Sequence, residues 1–345
     1  MRLIANGKTD ICMIGRANLC DPEFVNKAME GNEMDIRPCI GCLRCLNGIM
    51  FGKRVACSIN PSLELENEDT ITEANQKKNV LVIGGGPAGM EAAYVAKKRG
   101  HHVVLCEAEN DLGGQLNIAA VPIAKQDLTK VTQYMRRKLQ HAGVEIRLST
   151  PVTKEMLENE FAGYEVIAGT GAKPIIINAF TGFKQWMSAD DILAGKAVPG
   201  RKVVIIGGGS VGCETADYLA PLVNDRFPRN KAITILEMAD EIIMNESGPG
   251  RSLLVQRMMS KGVEVVCKAK VTKVDETNIW YEKDGQEHCI SDADTLVFAA
   301  GYRIDPAMEN MLKEADTHYH IIGDAEKVGN IKDAIHRGYE IAKDI

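Results

Sequence analysis

A strand, a glycine turn, a helix, a second strand and an acidic residue follow one another twice in this 345-residue chain. That repeat limits the folds open to it more than any other feature. The first copy reads VLVIGGG (80–86), PAGMEAAYVAKKRG (87–100) and HHVVLCEAE, with Glu107 closing the second strand. The second reads KVVIIGGG (202–209), SVGCETADYLAPLV (210–223), a loop of charged residues and proline, and AITILE, ending at Glu237. The short apolar runs have the texture of strands buried on both faces, and the small apolar residues after each glycine cluster share one face of a helix. Further strands are expected at VEIRL (144–148), EVIAGT (165–170), VEVVCKAKVTKV (263–274), NIWYE (278–282) and TLVFAAG (295–301). Strands alternating with helices in this way predict an α/β protein with mainly parallel sheets.

Each glycine cluster is a G-x-G-x-x-G. In the first, Gly84 permits the tight turn, Gly86 lets backbone approach a pyrophosphate, and Gly89 lets helix and strand pack closely. The helix that opens with Pro87 offers N–H groups from Ala88 onward and partial positive charge to phosphate, and Glu107 offers acceptors to a ribose diol. Taken alone the glycines would be ordinary turns; between a strand and a helix, with an acid about twenty residues on, they predict a dinucleotide site. Gly207, Gly209 and Gly212 repeat the pattern, with Ser210 and Val211 opening the helix and Glu237 in the acidic position. A carboxylate there suits the free 2′-hydroxyl of NADH and repels the 2′-phosphate of NADPH, and residues 238–241 contribute no arginine. NADH is the expected nucleotide.

Four of the ten cysteines, Cys39, Cys42, Cys45 and Cys57, fall in CIGCLRCLNGIMFGKRVAC. Zinc sites usually place two C-x2-C pairs on separate turns. Three close cysteines and one distant one fit a [4Fe–4S] cluster better, with zinc and free thiols as the alternatives. Cys106, Cys213, Cys267 and Cys289 are isolated and read as small buried or partly buried hydrophobes. The net charge of −6 supplies no basic field for nucleic acid. No apolar run reaches membrane-spanning length and the start lacks the apolar core of a signal peptide, so a cytoplasmic protein is expected. The seven histidines are scattered, with His101 and His102 read as an exposed strand start. They form no acid–base constellation, and no catalytic residue is nominated.

The order of motifs over 80–345 resembles the flavoprotein reductases that bind two dinucleotides, FAD in the first unit and a nicotinamide nucleotide in the second. LGGQL (112–116), with Gly114 and Gln115, is similar to the loop these enzymes place beside the flavin. GTGAKP (169–174), with Gly171, and AAGYRIDP (299–306), with Gly301, resemble their crossings between domains. The segment that begins HIIGDAEKV at His320 is similar to their C-terminal flavin motif, which implies that Gly323 and Asp324 meet the flavin, Asp324 at the ribityl hydroxyls. The same resemblance adds Ala108 and Val152 to the FAD set. No C-x-x-C or C-x4-C follows Gly84, so the redox disulfide of many such enzymes is absent and electrons must leave FAD by another route.

Upstream, KTDICMIGRANLCDPEF (8–24) reads as a buried strand, a Gly-Arg turn and a helix start at Asp21-Pro22, one βα unit of any α/β protein. Followed by the cysteine cluster, it resembles the end of the old-yellow-enzyme-type barrel, in which a Gly-Arg pair, here Gly15 and Arg16, grips FMN phosphate. The chain is thus similar to the C-terminal part of the NADH:flavin oxidoreductase family that includes 2,4-dienoyl-CoA reductase, 2-enoate reductase and trimethylamine dehydrogenase. The implied organisation is a barrel remnant (1–35), an iron–sulfur segment and linker (36–72, with ENEDTITEANQKKN at 66–79 as the linker), an FAD domain (73–197 and 298–345) and an NAD(P)H domain (198–297). The implied activity is a relay in which NADH reduces FAD, the cluster carries single electrons, and FMN in a barrel reduces an activated alkene. FMN would bind only if the barrel were supplied, in cis by a longer protein or in trans by a partner; a homo-oligomer is compatible with either. Rival readings are a stand-alone NADH diaphorase, a subunit resembling the small subunit of glutamate synthase, or a non-catalytic electron-transfer scaffold with a vestigial nucleotide site.

Overall fold

The computed structural model describes residues 2–50, 52–65, 71–220, 231–244 and 249–345. Residues 66–70 of the linker and the charged loop at 221–230, with the last three residues of the second expected helix, lie outside the described residues. The chain divides into two units, one of Met1–Asn117, Asp127–Ala172 and Ile304–Ile345, the other of Ile118–Gln126 and Lys173–Arg303. The main divisions fall at 172/173 and 303/304, where the sequence placed them at 197/198 and 297/298.

The first unit is built on a five-stranded parallel sheet in the order Tyr319–Ile321, Glu165–Ala168, Asn79–Ile83, His102–Cys106, Glu145–Arg147. Val80, Leu81 and Val82 at its centre are wholly buried, as a strand covered on both faces requires. The helix Pro87–Lys98 follows with proline in its first turn, where φ is already helical and the missing N–H has no partner to lose. The last helix, Ile331–Asp344, packs on it, and Gly338 makes the approach possible because a Cβ there would strike the Ala88 carbonyl. Asn330 and Asp333 form a capping box that fixes where this helix begins.

The second unit repeats the plan. Its parallel sheet has the order Trp186–Ser188, Thr295–Phe298, Lys202–Ile206, Ala232–Leu236, Glu264–Val266. The outermost strand comes from before the glycine fingerprint here and from the C-terminal end in the first unit. An antiparallel meander, Lys270–Val274, Ile279–Lys283 and Gln286–Ile290, completes it.

Three local expectations fail. The strand expected in KTDICMIG does not form: residues 8–15 carry no regular structure, Ile11 is 83% and Met13 100% exposed, and helices occupy Arg16–Cys20 and Phe24–Met29 instead. A strand needs a hydrogen-bonding neighbour, and among the described residues none pairs with this segment. His101 is not exposed but buried, its ring accepting the Lys78 N–H at 3.1 Å, while His102 is exposed at the strand start. Cys289 is exposed because it lies on the outer meander strand, whereas Cys106 and Cys213 are buried.

Candidate functional site

The first glycine turn is shaped by backbone crowding. Gly84 adopts a φ of +103°, and a Cβ there would lie 2.5 Å from the Gly169 carbonyl oxygen. A Cβ on Gly89 would collide with the carbonyl of Gly84, so the helix sits directly against the turn. Gly86 is the helix N-cap, and nothing lies within 4 Å of where its Cβ would be. Room is therefore left at the helix N-terminus, beside Pro87 and Ala88, for a phosphate to meet N–H groups.

Glu107 is 8% exposed and closes this turn from the neighbouring strand. One carboxylate oxygen accepts the Gly85 N–H at 2.6 Å and the other the Glu109 N–H at 2.8 Å. Each oxygen keeps a lone pair for a ribose hydroxyl. The LGGQL loop lies on the fingerprint: the Gly113 N–H donates to the Gly85 carbonyl at 2.9 Å, and the Cβ position of Gly114 is 3.2 Å from the Gly86 Cα. Gln115 opens the short helix Gln115–Ala119. Gly323 lies against Ala88 from the C-terminal side, with 2.9 Å between its Cβ position and the Ala88 Cβ. Asp324 follows; it accepts the Gly329 N–H at 3.0 Å, and burial raises its carboxyl above the ordinary range. The fold thus gathers Gly84, Gly86, Pro87, Ala88, Gly89, Glu107, Gly114, Gly323 and Asp324. Ala108 is exposed beyond the strand, Gly171 turns with no neighbour near its Cβ position, and Val152 is buried in the apolar cluster around Leu81 and Phe161.

The second turn reproduces the first to the hydrogen bond. Gly207 takes a φ of +107° against the Ala299 carbonyl, and Gly212 faces the Gly207 carbonyl as Gly89 faces Gly84. Gly209 caps the helix Ser210–Leu219 with open space at its Cβ position, and Ser210 and Val211 form the first turn. Glu237 accepts the Gly208 N–H at 2.5 Å and the Ala239 N–H at 2.8 Å, as Glu107 accepts those of Gly85 and Glu109. Gly301 lies after the Thr295–Phe298 strand, its carbonyl accepting the Ile175 N–H at 2.9 Å. Residues 78–328 match the family model described as pyridine nucleotide-disulphide oxidoreductase.

The chain belongs to that family. It is 35% identical to a cinnamate reductase of Clostridium sporogenes over 347 residues, covering 99% of this chain and 50% of the relative. It is 34% identical to an NADH oxidase of Thermoanaerobacter brockii, covering 99% and 52%. A solved 2-naphthoyl-CoA reductase with 2-naphthoyl-CoA matches at a TM-score of 0.92 and 26% identity, over 100% of this chain and 52% of that one. The chain spans about half the length of these relatives. It is an NAD(P)H:flavin oxidoreductase module, and the family match implies FAD and NAD(P)H as its two nucleotides. This oxidoreductase has no disulfide: all ten cysteines are free. Among the described residues no helix is long and apolar enough to cross a membrane.

The cysteine segment belongs to the first unit. Cys39 and Cys42 are exposed, Cys45 and Cys57 half-buried, and positive φ at Gly41 and Leu43 turns the chain between them. The Cys42 sulfur is 3.3 Å from the Ser58 hydroxyl, and the Ile59 N–H points at the Cys57 sulfur at 3.5 Å. The Cys57 thiol is pulled down to about 6, first by a hydrogen bond from Cys20, then by the N–H groups of Ile59 and Asn60 and by the Arg37 charge, all against burial. Burial raises Cys45. Among the described residues no three cysteine sulfurs lie within 4.8 Å of one another. Thiolates ~2.3 Å from one zinc ion would be packed more tightly than that. The described segment thus brings no three of its sulfurs together, and Cys57 is the one drawn toward thiolate.

Sequence reasoning missed three neighbours of Cys57. Cys20 is buried beside it, His336 donates its ring Nε2–H to the Cys57 carbonyl at 2.8 Å, and Arg37 donates to the Cys20 carbonyl at 3.2 Å. Only Cys20 carried a signal, as one more cysteine shortly before the cluster. Gly15 caps the helix Arg16–Cys20, and the exposed Arg16 guanidinium comes within 3.9 Å of the Cβ position of Gly41.

Proposed function

We propose that the chain is the NADH-oxidising half of a longer flavoenzyme. Hydride from NADH reduces FAD, and electrons leave through a [4Fe–4S] cluster on Cys39, Cys42, Cys45 and Cys57 toward an FMN-bearing barrel that reduces an activated alkene. The observation that carries this reading is the pair of matched cradles, each with a carboxylate locked onto its glycine loop and neither served by a cysteine pair. The chemistry supplied by bound FAD is the conversion of a hydride into single electrons.

In this reading Gly84, Gly86, Pro87, Ala88 and Gly89 hold the FAD pyrophosphate, Glu107 the ribose diol, and Gly323 with Asp324 the ribityl chain. Gly207, Gly209, Ser210, Val211, Gly212 and Glu237 hold NADH. Glu237 excludes NADPH because its negative charge is fixed at the loop by two N–H groups and cannot turn away from a 2′-phosphate. Support for iron rather than zinc comes from the spacing of the four cysteines, three within seven residues and one after eleven intervening residues, which suits a cubane better than two separate C-x2-C pairs. Support for a barrel comes from the exposed Ile11 and Met13, and from the names of the relatives, since cinnamate is an activated alkene. Gly15 and Arg16 would then supply part of an FMN phosphate site.

Anaerobic stopped-flow mixing of the flavin-loaded chain with NADH tests this. The oxidised flavin band should bleach within the dead time to seconds, and dithionite-reduced protein should show the electron paramagnetic resonance of a reduced cluster. A flavin band unchanged by NADH sinks the reductase reading; bleaching without iron or sulfide in the loaded protein sinks the relay and leaves a diaphorase.

A further inference from the structure

At the far end of the flavin-side sheet from the glycine turn, three metal-ligating side chains converge. Glu165 pairs in register with Val80 at the start of the central strand, whereas the glycine turn follows Ile83 at its end. The neighbouring edge strand brings His-Tyr-His, residues 318–320, with Tyr319 opposite Val166 and His320 opposite Ile167. Side chains two apart on an extended chain point to the same side. His318 and His320 therefore both face Glu165, and the Val166 N–H donating to the His318 carbonyl at 3.1 Å fixes the register.

The three groups meet at one oxygen. Glu165 Oε1 is in contact with His318 Nδ1 and lies 3.2 Å from His320 Nε2, and one ligand atom from each residue falls within 4.8 Å of the other two. The rings stand at 88° to one another, which keeps them from stacking and aims two separate nitrogens inward. Ligands bound ~2.0–2.1 Å from a tetrahedral ion are themselves a little over 3 Å apart, the spacing seen between Glu165 and His320. Glu165 is 8% exposed and its position is set by the sheet, while His318 is open to solvent, so water can complete the coordination.

We propose that Glu165, His318 and His320 form a binding site for a borderline divalent transition-metal ion, of the zinc, nickel or copper type. Two imidazoles and one carboxylate are the wrong donors for magnesium or calcium, which take oxygen ligands. Lys78 opposes binding: its ammonium lies 2.9 Å from the other oxygen, Oε2, and repels a dication. The lysine occupies only that oxygen, leaving Oε1 to face the two rings. An ion here would tie the edge strand to its neighbour at the end of this sheet away from the Gly84–Gly89 turn.

The test uses the tag-free chain with flavin bound and Ni2+ as the probe, followed by isothermal titration calorimetry and thermal melting. One saturable equivalent is expected, weakened roughly tenfold or more by His318→Ala and by His320→Ala. His288→Ala, in the other unit, should leave it intact. Ni2+ should raise the melting temperature of the wild type and of His288→Ala, but not of the two site variants, which read the same loss independently of calorimetry. Glu165→Gln should also lose the site, and Lys78→Gln should tighten it. Absence of a saturable equivalent, or binding unchanged in both site variants, overturns the proposal.

Discussion

Replacing Glu237 by glutamine keeps an acceptor for the Gly208 N–H and removes the charge. The loop should hold while discrimination falls, so the ratio of kcat/KM for NADH over NADPH is expected to drop about tenfold with the flavin content unchanged. A second residue-scale test concerns Lys138, buried against Glu91 at 2.8 Å and over the Tyr94 ring. Burial lowers its ammonium from 10.5 to about 8. The folded chain thus binds that proton less readily than the unfolded chain does. The stability this gives is fully present above about pH 10.5 and is lost as pH falls through about 8. Lys138→Met alone strands a buried carboxylate and should cost about 3–5 kcal/mol in denaturant melts, whereas Lys138→Met with Glu91→Leu should recover most of it. Glycines and acids of the two turns were legible from sequence because each is forced by a backbone approach that only a few side chains satisfy. Arg37 and His336 were not, and Cys20 showed only as one more cysteine near the cluster, because what brings them to Cys57 is tertiary packing.

Among the elements, the strands read best from sequence were those buried on both faces, such as Asn79–Ile83 and Lys202–Ile206, whose unbroken apolar runs have no other use. Short strands such as Trp186–Ser188 and Gln286–Ile290 went unread, the first too short and the second too polar to show a pattern. KTDICMIG failed for the opposite reason. Its composition suits a strand, but strands exist in pairs and none of the described strands pairs with it. The helix pair Pro87–Lys98 and Ile331–Asp344 offers a test at this scale. In Gly338→Ala the added methyl meets the Ala88 carbonyl, so the helices must separate. We expect a loss of about 1–3 kcal/mol and weaker flavin retention, measured by melting and by flavin released on gel filtration.

For the whole molecule, the two cradles should fail separately. Gly212→Ala drives a methyl into the Gly207 carbonyl in the nucleotide-side unit alone. The variant should keep FAD at wild-type stoichiometry and lose NADH-driven bleaching, while dithionite still reduces it. The wild-type chain should pass electrons from NADH to an artificial acceptor such as ferricyanide, but should not reduce an alkene unless a barrel is added.

The strand order also sets a timetable. The five-stranded sheet and the meander of the nucleotide-side unit all lie between Trp186 and Phe298. The flavin-side sheet instead waits for Tyr319–Ile321, and its first helix waits for Gly338. On the ribosome the later unit in the sequence can therefore close before the earlier one. Domains made first usually fold first; here the first unit's sheet is begun first and finished last, so with FAD held there as proposed, its capture is expected only after Tyr319–Ile321 and the helix Ile331–Asp344 have been made.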